Sequence, residues 1–303
     1  MRWLIRIADR THPLVLPGVW VLTSMIVFAF SITLADGGSC CWENRTQMWG
    51  SALTYSLISA YLLAAFVYLY RSHRDTVSSL RTLVADPLAV DVALRDLRAP
   101  LVVWAAIAGA LFGVSQFAEV LFPNRDSLSS IPDVPLILGN TLLWMVAALL
   151  TVSRVHDAVA MRRLGRHIEI DLYNLGRLRP IGRAAVRDVL VVMGALAFMP
   201  LQSLDAEFRW VNYQTGLIFG TISASILFYL PVSGVHDGIR EAKARRLEEI
   251  QSLIGVTDQS NVASLESLIA HRERILHLSA WPLDLSILSR VGFYLIIPPL
   301  AWV

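Results

Sequence analysis

Pro231-Val232-Ser233-Gly234-Val235-His236-Asp237-Gly238 closes one long apolar run and opens a charged one. Two earlier stretches do the same, Arg71-Ser72-His73-Arg74-Asp75 and Arg154-Val155-His156-Asp157. The three histidines stand 83 and 80 residues apart. This spacing predicts three helical hairpins built to one plan, followed by a further membrane helix.

The chain has 303 residues, of which 55% are hydrophobic and only 17% charged. A soluble domain of this size carries about 25% charged residues. The apolar residues fall in continuous blocks, close to the ~20 residues that cross a hydrocarbon core as a helix. Lipid cannot satisfy open backbone groups, so spans must be helices or a closed barrel. Unbroken blocks without period-2 alternation select helices. The predicted spans are 13–34, 50–70, 100–122, 134–153, 189–204, 215–230 and 288–303. The fold expected is therefore an all-α polytopic membrane bundle with seven transmembrane helices. Residues 1–236 form a six-helix region with cytoplasmic loops 71–99 and 154–188. Residues 237–287 form a cytoplasmic helical segment, and 288–303 the seventh helix. Pro298-Pro299 breaks that last helix, and its shortness predicts that the natural chain continues past Val303.

Charge sets the orientation. Of 26 lysines and arginines, 23 lie in the N-terminal ten residues or in segments 71–98, 154–187 and 240–290. Only Arg45, Arg125 and Arg209 fall in the other loops. Because positive residues stay on the cytoplasmic side, the N-terminus is predicted inside a bacterial inner membrane.

Several residues are candidates for function. A ring of His73, Asp75, His156, Asp157, His236 and Asp237 at the inner mouth would titrate near neutrality or hold a cation. Polar residues are also what any helix leaving a bilayer needs. Glu119 is the clear ionisable group within a span, either guarding an outer vestibule or reaching the headgroups. Arg177, Arg179, Arg183 and Arg187 offer contacts to lipid headgroups, and they equally satisfy the charge rule. Ser289, Pro298 and Pro299 are candidate pore-lining or hinge residues. Gly109-xxx-Gly113 and Gly216-xxx-Gly220 permit close helix approach, within the chain or between copies.

Other chemistry has no signature. There is no nucleophile motif, phosphate loop or pair of intramembrane aspartates, so no enzymatic activity is expected. Cys40 and Cys41 are adjacent, and no histidine pair has zinc spacing, so no metal or cofactor is expected. The expected partners are the lipid bilayer, further copies of the chain and a cytoplasmic protein, with no nucleic acid. The sole lysine, Lys243, reads as solvated on a charged helix. The functional expectation is a subunit of an oligomeric channel or pore. The alternatives are a scaffold or sensor acting through its cytoplasmic helices, and an uncoupled transporter or lipid-handling protein. In layout the chain resembles the insect chemoreceptor channels, with seven helices, an internal N-terminus and a helical inner segment before the last span. That resemblance covers topology; the channel reading itself predicts an oligomer with a water-accessible axis lined partly by residues 289–303.

Overall fold

The computed structural model describes residues 15–35, 49–84, 86–95, 98–117, 133–204, 210–256, 262–279, 281, 289 and 292. Among these the chain is helical and contains no strand; Val84 and Ile168 form one isolated antiparallel bridge. The helices are α1 (Val15–Ala35), α2 (Trp49–Leu80), α3 (Pro87–Ala93), α4 (Ala99–Ser115), α5 (Asp133–Arg166), α6 (Arg179–Leu196), α7 (Trp210–Val256) and α8 (Val262–His277). Short 3-10 turns follow α2 (Arg81–Leu83), precede α6 (Leu175–Leu178) and follow it (Met199–Leu204).

Four helices are long and apolar enough to cross a membrane: α2, α5, α6 with its flanking turns, and α7. The apolar stretches of α1 and α4 are shorter within the described residues. The predicted spans 13–34 and 100–122 therefore appear in part, and 288–303 lies outside the described residues apart from Ser289 and Gly292.

The His-Asp stretches are not helix ends. α2, α5 and α7 run straight through them for 32, 34 and 47 residues. At ~1.5 Å per residue each is longer than a hydrocarbon core is thick, so its charged C-terminal part extends past the apolar stretch. Pro231 lies inside α7, where its ring removes one intrahelical hydrogen bond.

Consecutive helices pair as α1 with α2, α4 with α5, and α6 with α7. Around these pairs α5 is the hub, touching each of α1, α2, α3, α4, α6 and α7. The α4–α5 seam depends on the first glycine pair. A Cβ on Gly109 would fall 2.5 Å from the Trp144 carbonyl oxygen, and one on Gly113 would fall 2.6 Å from Thr141 Cα. Backbone cannot yield at those distances, so only glycine permits the approach. Asn140 Nδ2 donates to the Gly113 carbonyl at 2.9 Å across the same seam. The second pair, Gly216 and Gly220, faces Met199 and Leu196. Both motifs thus serve packing within the chain.

The extensions of these helices past their apolar stretches build a core of their own. Val77, Leu80, Val90, Leu164, Ile181, Val235, Ile239, Ile250 and Ile275 are buried together. Asp86 caps α3 by accepting from Leu88 N at 2.9 Å, with Pro87 in the first turn. Lys243 is not simply solvated. Its Nζ donates to the Leu276 and Leu278 carbonyls at 3.2 and 2.8 Å and so holds the end of α8 against α7.

Candidate functional site

An apolar cavity of about 350 Å³ lies among α2, α5, α6 and α7. Each helix lines it with residues three or four positions apart, which is one helical face. On α5 these include Asn140, Leu143, Ala147, Leu150 and Arg154. Fourteen residues separate the first from the last, so the lining runs about 21 Å along the helix. Trp144 closes one side, its ring edge-on to Phe112 of α4 at 4.6 Å and to Phe219 of α7 at 5.2 Å.

The two ends differ. At one end Thr54, Gln116, Asn140, Gln202 and Thr215 reach the cavity, all neutral and able to hydrogen-bond. Because successive helices alternate in direction, the start of α2, the end of α4, the start of α5, the end of α6 and the start of α7 meet there. The other end is ionic. Arg154 Nη1 donates to Asp157 Oδ2 at 2.7 Å, and Nη2 lies 3.3 Å from the carboxylate of Asp188 on α6. The side chains of Arg154 and Asp188 are 7% and 6% exposed. A charge so buried must be paired, and here one guanidinium answers two carboxylates.

Arg154 and Asp188 also line a second, water-sized space, together with Ser72, His73, Asp157 and Pro231. The pair therefore stands between the large cavity and the core built by the helix extensions. His73 is buried beside it, with Nε2 3.1 Å from the Ala93 carbonyl oxygen. His156 Nδ1 stands 3.5 Å from Asp157 Oδ1, an electrostatic contact too long for a good hydrogen bond. Arg154 Nε is buried with no hydrogen-bond partner.

The six residues expected as an inner-mouth ring divide into separate groups. His73, His156 and Asp157 gather around Arg154. Asp75 is exposed and lies in an outward cleft with Arg71 and Arg183. Asp237 pairs with Arg166 at 3.6 Å, nine residues beyond Asp157 and hence ~13 Å further along α5. His236 stacks on Trp281 with ring centres 4.5 Å apart. Among the described residues no cluster of histidine, cysteine and carboxylates suits a metal ion.

Of the four candidate headgroup arginines, Arg183 and Arg187 line that outward cleft, whereas Arg177 and Arg179 are exposed elsewhere. Glu119, Pro298 and Pro299 lie outside the described residues, and Ser289 is exposed.

Sequence reasoning missed Arg154 and Asp188 as a pair, although a signal for Asp188 exists. Ile181, Ala185, Asp188 and Val189 recur at helical spacing and are all buried, so the aspartate occupies the apolar stripe of an amphipathic helix.

No protein-family model matches this chain, and no curated protein or solved structure does either.

Proposed function

We propose that this protein is a lipid-handling or uncoupled transport protein of a bacterial inner membrane, with seven spans and a cytoplasmic N-terminus. Its cavity holds one thin amphiphilic molecule, with an apolar chain between α2, α5, α6 and α7. An uncharged hydrogen-bonding head sits against Thr54, Gln116, Gln202 and Thr215. The Arg154–Asp188 pair forms the inner stop.

The observation that supports this reading is the cavity itself. It is a hollow within one chain, lined mostly by apolar side chains, with Thr54, Gln116, Asn140, Gln202 and Thr215 at the end away from the ions. Ligand sites are mostly apolar hollows of ~300–1,000 Å³ with a few convergent polar groups. A path inside one chain favours handling of a molecule by that chain over a pore between copies. Ser289, the described member of the set expected to line such a pore, is not among the residues lining the cavity.

The test is native mass spectrometry of protein extracted in mild detergent. The wild type should retain a single-chain amphiphile, and Ala147→Phe, which places a ring in the cavity, should lose it. Retention of the same molecule by a folded Ala147→Phe protein overturns the proposal.

A further inference from the structure

A second cleft, of about 480 Å³, opens on the outward side of the α2–α6 contact. From α2 it takes Tyr68, Arg71, Asp75 and Ser79, spaced three or four residues apart. From α6 it takes Pro180, Arg183 and Arg187. The two stripes lie more than a hundred residues apart in sequence, yet they bring three guanidinium groups to one hollow against a single carboxylate, a net excess of two positive charges.

Its level in the membrane is set by Tyr68, which is 56% exposed and stands three residues before Arg71, where the apolar part of α2 gives way to charge. The guanidinium of Arg187 lies 5.9 Å from that ring centre. Aromatic rings and arginines meet in this way at the headgroup layer. The adjacent residues Leu69 and Asp188 line the central cavity instead, so the cleft and the cavity lie on different faces of the same two helices.

We propose that this cleft binds a phosphate-bearing headgroup. Guanidinium forks match phosphate oxygens in pairs, and two helices supply forks here from different directions. The charge rule alone asks only that arginines lie on the inner side, which Arg177 satisfies in the open. It does not ask that Arg71 and Arg183 converge. The shared chemistry is a phosphate, carried by an inner-leaflet anionic phospholipid or by a soluble phosphate.

The experiment compares the wild type with Arg71→Gln/Arg183→Gln and with a control of equal charge, Arg81→Gln/Arg177→Gln, whose arginines are exposed outside the cleft. Binding of phosphatidylglycerol, phosphatidylcholine and inorganic phosphate is titrated by native mass spectrometry. Phosphatidylglycerol should bind preferentially and weaken by about 25-fold in the cleft variant, at ~1 kcal/mol per arginine near the surface, and stay unchanged in the control. Inorganic phosphate binding with the same variant pattern, and no preference among lipids, assigns the site to a soluble phosphate. Equal weakening in both variants, or no phosphate-dependent binding at all, overturns the proposal. The site is independent of the central cavity, so Ala147→Phe should leave the phosphate adduct in place whatever it does to the cavity ligand.

Discussion

Arg154 of α5 and Asp188 of α6 are 34 residues apart in sequence and 3.3 Å apart in space, and between them they divide the central cavity from the smaller space beside His73 and Asp157. The pair joins two helices that otherwise touch only lightly, because α6 packs mainly on α2 and α7. Among the described residues it is the one place in the cavity lining where charge is buried.

Removing Arg154 strands two carboxylates. Arg154→Leu should lower stability by about 3–5 kcal/mol, the cost of breaking a buried pair from one side. Arg154→Leu/Asp157→Leu/Asp188→Leu removes all three charges and should recover most of that loss. Thermal unfolding in detergent measures both. Equal stability of the single variant and the wild type would refute a structural role for the cluster.

The α4–α5 seam should not tolerate a methyl group. Gly109→Ala meets the backbone at Trp144 and Met145 and should cost about 1–3 kcal/mol, as overpacking does. Gly18→Ala meets nothing within 4 Å and should be neutral. If the Gly109–Gly113 face instead joined copies of the chain, Gly109→Ala would change the oligomer size seen by light scattering and leave monomer stability alone.

Lys243 should hold α8 in place. Lys243→Met removes a charged donor from the last carbonyls of α8, a contact worth about 1 kcal/mol at a helix C-terminus. Limited proteolysis should then cut the 262–279 segment sooner, with the remaining helices unaffected. An unchanged cleavage rate would show that the lysine contact carries no weight.

Orientation can be read with an impermeant thiol reagent. Cys40 and Cys41 stand in the loop after the first predicted span, which the arginine distribution puts outside. Labelling is expected in intact spheroplasts. Labelling that appears only after lysis inverts the topology.

The sequence by itself determined that the chain is helical and membrane-embedded. Continuous apolar blocks leave the backbone no other way to satisfy its hydrogen bonds in lipid. It also marked where apolar gives way to charged, at Arg71, Arg154 and His236. These are local properties, and they survive whatever the helices later pack against. The structure shows that α2, α5 and α7 all pass unbroken through those points. Only the tertiary structure showed that His73 and Asp157 meet while Asp237 and His236 turn to Arg166 and Trp281. It alone brought Arg71 and Arg183 to one cleft. The reason is rotational. A helix that is apolar on every side does not announce which face will turn inward, and α4, with Gly109 and Gly113 against α5 and Trp104 and Leu111 exposed, shows how little composition reveals of that choice. Contacts between helices depend on the angle at which each is seated, and that angle is set by the close approach of neighbours distant in sequence.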